Sequence, residues 1–205
     1  MSDLLSLAKK YNADKMVPET FAFIGAYVEH FERLREETCT LLEIGVQTGG
    51  SLRMWRDYFP NASILGMDIT PDCLQHKGER IDVIMGDQSD TVFLADFAKR
   101  YKFNIIVDDG GHKMKHQLRS FNHLWPIVSH GGWYVIEDLH TSYWPKWGGK
   151  YGDEDTTMSF LKKLLDEVNW RGIVHPKAKK YQRKWKPIGI KSLHFYPGIV
   201  FIEKE

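Results

Sequence analysis

Five carboxylate-bearing segments are spread along the 205-residue chain, and each directly follows a short apolar run. A carboxylate at the end of a buried strand can bind a metal ion, take up a proton or accept hydrogen bonds from a ligand. The segments are Glu43-x-Gly45, Asp68, Gly86-Asp87-Gln88, Asp108-Asp109-Gly110-Gly111-His112 and Glu137-Asp138. Because ligands of open α/β sheets bind beyond the carboxyl ends of the strands, we expect these segments to meet in one crevice.

Two of these segments predict a metal centre. Asp109, Glu137 and Asp138 follow two adjacent strands, and converging carboxylates are unfavourable unless a positive ion lies between them. Oxygen ligands suit Mg²⁺, and the absence of cysteine from the group disfavours zinc. His112 and Asp109 are then the predicted catalytic residues, with His112 as the general base for a hydroxyl acceptor. Asp108 points to the opposite side of its strand, toward the cofactor or behind a metal ligand.

The segment from Glu43 to Gly50 predicts a cofactor site. Gly45 and Gly49 permit a tight turn and a close approach of a ligand to the backbone. A dinucleotide site would have glycine at the first position, whereas Glu43 would repel a pyrophosphate and accept hydrogen bonds from an amino-bearing cation. S-adenosylmethionine is such a ligand, and Asp68 is placed to bind its ribose hydroxyls. The alternative is a glycine turn with an N-capping acid.

Apolar runs that alternate with amphipathic stretches predict strands separated by helices. The predicted strands cover 39–44, 63–69, 81–86, 103–109 and 132–138, and the predicted helices cover Val17–Glu37, Ser51–Phe59, Ser89–Tyr101 and about Lys113–Ile127. Residues 191–204 predict a hairpin that turns at Pro197-Gly198. We therefore predict one α/β domain over 1–205, with an N-terminal helical segment at 1–37. Its core is a doubly wound, mostly parallel seven-stranded sheet with helices on both faces and a C-terminal antiparallel hairpin.

The pattern E-x-G-x-x-x-G followed by Asp68 resembles the cofactor fingerprint of class I S-adenosylmethionine-dependent methyltransferases. The segments LLEIGVQTGGSLRMWRDYFPNASILGMDI, GDQSD, IIVDDGGH and YVIEDLHTSYW together resemble the metal-dependent sugar O-methyltransferases of macrolide biosynthesis. The resemblance runs from about Tyr11 to Asn169 and returns in the terminal hairpin. It implies a Rossmann-like methyltransferase fold with S-adenosylmethionine and Mg²⁺ as cofactors. It also implies these roles: metal ligands Asp109, Glu137 and Asp138, general base His112, and cofactor contacts Asp68, Asp87 and Gln88, with Asp14 in a segment that folds over the cofactor.

The loop that follows the predicted metal ligands is rich in aromatic residues and glycine. Aromatic rings stack on sugar rings, so we expect 138–155 to form an active-site lid in which Tyr143 and Trp144 contact the acceptor. His140 is a further candidate contact. A packed surface loop is the alternative interpretation, and for His140 a loop hydrogen bond.

Charge is distributed unevenly along a chain whose formal net charge is only +1. Residues 171–191 hold eight Lys and Arg and no acid, which indicates a solvated basic face or a clamp for an anionic acceptor. The near-neutral total argues against a nucleic-acid-coating protein, and no apolar run is long enough for a membrane span. The cysteines Cys39 and Cys73 form no disulfide framework, so we expect a reduced, cytoplasmic protein.

The predicted activity is transfer of a methyl group from S-adenosylmethionine to a hydroxyl of a sugar or glycosylated acceptor, with Mg²⁺ and the base His112. A phosphorylated or nucleotide-linked sugar is one acceptor class. Two alternatives stay open: methylation of a non-sugar small-molecule hydroxyl, and a non-catalytic protein that binds S-adenosylmethionine or a nucleotide. The resemblance does not fix quaternary structure, so a homo-oligomer stays open too.

Overall fold

The computed structural model describes residues 3–15, 23–175, 177 and 185–205. Seven strands form one mixed sheet in the order β3-β2-β1-β4-β5-β7-β6. The strands are β1 Thr40–Ile44, β2 Ser63–Asp68, β3 Ile81–Met85, β4 Phe103–Asp108, β5 Val128–Ile136, β6 Ile190–Tyr196 and β7 Ile199–Lys204. Strands β1 to β5 pair in parallel, and β7 lies antiparallel between β5 and β6. The predicted sheet with its C-terminal hairpin is confirmed.

Helices cover both faces of this sheet, as predicted for a doubly wound fold. They are α1 Leu4–Tyr11, α2 Phe23–Phe31, α3 Gly50–Tyr58, α4 Thr91–Arg100, α5 Met114–Leu124, α6 Thr157–Val168 and α7 Trp170–Ile173. One apolar core joins α1, α2 and α3 to the sheet, and a second joins α4, α5 and α6. Alternate residues of β1 divide between the two cores, since Leu41 packs in the first and Leu42 in the second.

Several predicted boundaries differ from the structure. The helix predicted over Val17–Glu37 is described from Phe23 and ends at Phe31, followed by a 3₁₀ turn over Glu32–Leu34. Helix α1 lies within the N-terminal segment 1–37 but had no predicted bounds of its own, and helices α6 and α7 were not predicted. Of the predicted basic segment, residue 176 and residues 178–184 lie outside the described residues. Within the described ranges, no helix has both the length and the apolar character needed to cross a membrane.

The parallel strands deliver their following residues to one edge of the sheet. Backbone hydrogen bonds between neighbouring strands continue for one residue past the strand ends, and they hold these residues in place. The bonds run from Gly45 N to Met67 O (2.8 Å), Gly86 N to Asp68 O (2.8 Å), Asp109 N to Ile44 O (3.0 Å) and Glu137 N to Asp108 O (3.1 Å). The acidic segments singled out in the sequence therefore meet at this edge.

Candidate active site

A cavity of about 560 Å³ opens at the carboxyl ends of the parallel strands. Its wall includes the residues that follow β1 to β5, together with Ala13 and Asp14 from the N-terminal segment. The predicted site residues that line it are Asp14, Gly45, Asp68, Asp87, Gln88, Asp109, His112, Glu137 and Asp138. The predicted residues Glu43, Gly49, Asp108, His140, Tyr143 and Trp144 lie outside its lining.

Gly45 brings the turn after β1 into contact with the turn after β4. Its φ angle is +94°, and a Cβ atom added there would lie 2.1 Å from the carbonyl oxygen of Asp109. Because of the positive φ and this close approach, a residue with a side chain would fit here only if the backbone moved. Gly49, whose φ is +68°, is the N-cap of α3 and contacts His76 rather than the cavity.

Asp68 fixes the same turn from the end of β2. Its Oδ2 accepts hydrogen bonds from the backbone N–H groups of Val46 (2.8 Å) and Gln47 (3.2 Å), and its Oδ1 accepts one from Thr70 N (2.9 Å). Burial acts to raise the pKa of Asp68, but the hydrogen bonds from Thr70, Val46 and Gln47 outweigh it and hold that pKa below its usual value. Asp68 therefore presents a carboxylate to the cavity at neutral pH.

Lys15 is a buried cation that contacts the carboxylates of three strand ends and lies 3.9 Å from a fourth, that of its neighbour Asp14. Its side chain is fully buried, and its Nζ lies 3.1 Å from Glu43 Oε1 and 3.0 Å from Glu137 Oε1. It also donates a hydrogen bond to Asp109 Oδ2. Burial acts to lower the pKa of Lys15, but the negative charges of Asp109, Glu137 and Glu43 outweigh it and raise that pKa well above its usual value. The three carboxylates thus surround a lasting positive charge.

Glu43 is bound by groups of the protein itself. Ser51 Oγ donates a hydrogen bond to its Oε2 (2.7 Å), and Trp55 Nε1 donates one to its Oε1 (3.3 Å). The amino group beside Oε1 is that of Lys15. That Glu43 receives the amino group of a ligand stays a prediction.

Asp109, His112 and Asp138 converge in the cavity. One ligand atom from each lies within 4.8 Å of the others, a spacing that suits a shared metal ion. His112 Nε2 is 3.4 Å from Asp138 Oδ2. Among the described residues, none hydrogen-bonds the buried Nδ1 of His112. A buried polar atom without a protein partner is the kind of group that a ligand or water satisfies.

Two members of this cluster have a strained backbone. The φ angles are +50° at His112 and +56° at Asp138, in the left-handed region that side-chain-bearing residues seldom adopt. Such strain costs free energy and persists where the surrounding contacts impose it, which is common at functional sites. Thr141 Oγ1 supplies one such contact to each segment, donating to Asp138 O (2.7 Å) and lying 3.1 Å from His112 O.

Glu137, the third metal ligand predicted from sequence, is directed toward Lys15. Its Oε1 also accepts a hydrogen bond from the Tyr27 hydroxyl, and its backbone oxygen accepts one from Gln117 Nε2 (3.0 Å). Burial raises the pKa of Glu137 to about 7. Its role as a ligand stays a prediction. Lys15, Tyr27 and Gln117 were not predicted as site residues.

Gln88 links the end of β3 to the glycine turn that carries His112. Its Oε1 accepts a hydrogen bond from Gly111 N (2.5 Å), and its Nε2 donates to Asp108 Oδ1 (3.0 Å) and to Ser120 Oγ (2.9 Å). Asp108 is fully buried, and burial raises its pKa. Asp108 therefore supports the turn from beneath the cavity.

The aromatic loop after β5 adjoins the cluster without lining the cavity. Tyr143 and Trp144 are each 45% exposed. The ring of Trp144 lies 4.5 Å from that of His140, whose Nδ1 is 4.0 Å from Asp138 Oδ1. Exposed rings next to a carboxylate cluster form a surface on which an acceptor could stack.

No family model matches the chain, but individual proteins do. The 8-demethyl-8-alpha-L-rhamnosyl tetracenomycin-C 2'-O-methyltransferase of Streptomyces olivaceus is 37% identical over 98% of this chain and 54% of its own length. The mycinamicin VI 2''-O-methyltransferase of Micromonospora griseorubida is also 37% identical, over 98% of this chain and 52% of its own length. The chain thus spans about half the length of the curated relatives it matches.

A solved structure shows the same architecture. The MycE methyltransferase of the mycinamycin biosynthetic pathway, in complex with Mg and SAH, superposes with a TM-score of 0.90 at 36% identity. The match covers 99% of this chain and 54% of that one. The sheet and the sequence identity along nearly the whole chain agree with each other. This chain therefore belongs to the class I S-adenosylmethionine-dependent methyltransferases and is homologous to the macrolide sugar O-methyltransferases.

Proposed function

We propose that this chain transfers a methyl group from S-adenosylmethionine to a hydroxyl of a sugar on a glycosylated small molecule, with Mg²⁺ as cofactor. The observation that carries the proposal is the convergence of Asp109, His112 and Asp138 in the cavity that Gly45 and Asp68 also line. A cavity of about 560 Å³ that is lined by both a carboxylate cluster and a glycine turn has room for a metal and a nucleoside cofactor. The complex of MycE with Mg and SAH supports both cofactors.

The donor set fits Mg²⁺. Asp109 and Asp138 supply hard oxygen ligands, and Glu137 offers a third carboxylate from the same wall. In the described part of the chain, the carboxylates of this wall outnumber the single ammonium of Lys15. A divalent cation bound there would offset the excess negative charge and make a nearby acceptor hydroxyl more acidic.

The protein's own part in the reaction is positioning and proton transfer. S-adenosylmethionine, when bound, brings a methyl group that is already activated on a sulfonium. Asp68 would bind the ribose, the turn at Gly45 would lie against the cofactor, and Asp87 and Gln88 would contact the adenine side. His112 would accept the hydroxyl proton, and Asp138, whose Oδ2 lies 3.4 Å from His112 Nε2, would help to hold the ring in place.

The acceptor is proposed from the aromatic loop and from the relatives. Exposed rings at Tyr143 and Trp144 suit the apolar face of a sugar, and His140 lies between them and Asp138. The names of two relatives include a rhamnosyl tetracenomycin and mycinamicin VI as the compounds that are methylated. A neutral glycoside is therefore the first acceptor class to test. A phosphorylated or nucleotide-linked sugar is the second, favoured by the basic segment 171–191.

The test is transfer of labelled methyl from S-adenosylmethionine to a panel containing a rhamnosylated polyketide, a macrolide glycoside, a sugar phosphate and a catechol. We expect Mg²⁺-dependent transfer to a glycoside that EDTA abolishes. Asp109→Asn and Asp138→Asn should lower kcat/KM at least about 100-fold, in the range of single catalytic groups. The exposed Asp166→Asn variant on α6 is the matched control and should retain activity.

Each part of the proposal has its own contrary outcome. Transfer that survives EDTA would exclude the metal, and transfer to the catechol alone would exclude the sugar acceptor. Binding of S-adenosylhomocysteine without transfer to any hydroxyl would indicate a non-catalytic protein. For the base, His112→Gln should lower kcat by about 10²–10⁴-fold while the affinity for S-adenosylhomocysteine stays within about twofold. His123→Gln on α5 is its control.

A further inference from the structure

Lys15 joins three different strand ends through one ammonium group. Glu43 belongs to β1, Asp109 follows β4 and Glu137 follows β5, and all three carboxylates contact its Nζ. The side chains of Lys15 and Glu43 are fully buried, and that of Glu137 is 3% exposed. Without the ammonium, buried carboxylates from adjacent strands would repel one another across a region of low dielectric constant.

The same residue anchors the segment that forms one wall of the cavity. Ala13 and Asp14, which directly precede Lys15, both line the cavity. Just upstream, the chain presses on the start of α3, where a Cβ atom added at Gly50 would lie 2.6 Å from the carbonyl oxygen of Tyr11. The N-terminal segment is thus packed against the start of α3 and is bound through the ion pairs of Lys15 to Asp109 and Glu137, both of which line the cavity.

We propose that Lys15 is a positioning residue that orders the carboxylates of Asp109 and Glu137 and holds Ala13 and Asp14 in the wall of the cavity. This inference deepens the proposed function and rests on it for the identity of the ligand. A lysine that only filled the core would need one counter-ion and no contact with the cavity wall. Lys15 contacts carboxylates at three strand ends and directly follows the wall residue Asp14, so its loss is expected to weaken cofactor binding as well as stability.

The experiment compares Lys15→Met, Glu137→Gln and the double variant in the full chain. Lys9→Met is the control, since Lys9 lies exposed near the end of helix α1, six residues before Lys15. Affinity for S-adenosylhomocysteine is measured by calorimetry without divalent cation, and the unfolding temperature by circular dichroism. We expect Lys15→Met to weaken that affinity at least about tenfold and to lower Tm by about 6 °C or more. Lys9→Met should change neither.

The double variant shows whether the carboxylates depend on the ammonium. Glu137→Gln should lower Tm in the natural chain but raise it in the Lys15→Met background, where it removes an unpaired buried carboxylate. The inference is overturned if Glu137→Gln lowers Tm equally in both backgrounds. It is also overturned if Lys15→Met lowers Tm while the affinity stays within about twofold of the natural chain. If the natural chain itself binds no S-adenosylhomocysteine, the proposed function fails. The Tm comparison then still decides whether the carboxylate of Glu137 depends on the ammonium of Lys15.

Discussion

The two oxygens of Asp68 accept hydrogen bonds from two different turns, one after β1 and one after β2. Oδ2 binds the N–H groups of Val46 and Gln47 after β1, and Oδ1 binds the N–H and the hydroxyl of Thr70. These four hydrogen bonds match the four lone pairs of the carboxylate, so a ribose hydroxyl that binds Asp68 would take the place of one of them. Asp68 is therefore both a support for the turn and a candidate ligand contact.

Asp68→Asn is expected to weaken S-adenosylhomocysteine binding by about 10–100-fold, since hydrogen bonds to charged groups contribute about 1.5–3 kcal/mol. The amide keeps the shape of the side chain but loses the charge and one acceptor. Calorimetric titration measures the change. Asp72→Asn, an exposed acid four residues later, is the matched control. Equal affinity of the Asp68 and Asp72 variants would remove Asp68 from the cofactor site.

At the scale of elements, the positions of the acidic segments were predictable because two local rules agree. Short apolar runs between amphipathic stretches give parallel strands, and parallel strands place their following residues at one edge. Asp68, Asp109 and Asp138 were located in this way and lie in the cavity. The role of Lys15 was not predicted, because its partners come from β1, β4 and β5, which meet only in the folded sheet.

Helices α6 and α1, for which the sequence analysis set no bounds, differ in how visible they were. Helix α6 carries local signals, because Leu161 and Leu164 are buried at helical spacing. Thr156 is its N-cap, and Ser159 N donates a hydrogen bond to the Thr156 hydroxyl oxygen (3.2 Å). Helix α1 has only eight residues, begins after the N-cap Asp3 and is held by packing against α3. Helices that short depend on tertiary contacts, which a local pattern does not contain.

Gly45→Ala is expected to destabilise the fold by about 2–4 kcal/mol, because it adds backbone strain at a positive φ and a collision with the turn after β4. Gly25→Ala is the opposite case, since Gly25 is an exposed position of α2 where a Cβ atom would have nothing within 4 Å. It should stabilise the protein by roughly 0.5–1 kcal/mol. Urea unfolding of both variants measures the difference. A stability for Gly45→Ala at or above that of the natural chain would contradict the contact between the two turns.

Helix α2 and the C-terminal hairpin meet at a pair of histidines. The ring of His30 lies 4.6 Å from that of His194, and its Nε2 is 2.9 Å from the Tyr196 hydroxyl. Burial lowers the pKa of His30, and the nearby charges of His194 and Arg33 act in the same direction. Glu29 and Glu203 act in the opposite direction without reversing the shift.

The lowered pKa of His30 predicts that the folded protein becomes less stable as the pH falls. Because the pKa of His30 is lower in the folded protein, the unfolded chain binds a proton more readily, so stability falls as pH drops through the ordinary histidine pKa of about 6.5. His30→Phe should make the free energy of unfolding less dependent on pH between about 5 and 7.5. His123→Phe, whose ring lies on α5, is the control. Identical pH profiles for the natural chain and His30→Phe would show that His30 does not contribute.

At the scale of the whole molecule, a net charge of +1 conceals two opposed regions. The eight basic residues of 171–191 leave the rest of the chain with a charge of −7, and part of that negative charge lines the cavity. An acidic cavity suits a divalent cation and a sulfonium, both positive. A neutral acceptor would gain nothing from the basic segment, whereas an anionic one would be attracted to it.

The acceptor's charge can therefore be tested from the basic segment alone. Lys179→Glu combined with Lys180→Glu should raise KM for a sugar phosphate at least about tenfold and leave KM for a neutral glycoside unchanged, if the segment binds the acceptor. Lys162→Glu combined with Lys163→Glu makes the same change of charge on the exposed side of α6 and controls for long-range electrostatics. Steady-state kinetics are measured at low and at physiological salt. A long-range electrostatic effect would fade in both double variants as the salt concentration rises, so it can be told apart from direct binding of the acceptor. Equal KM values for the sugar phosphate in the two double variants would assign the segment to the solvated surface and leave the neutral glycoside as the acceptor class.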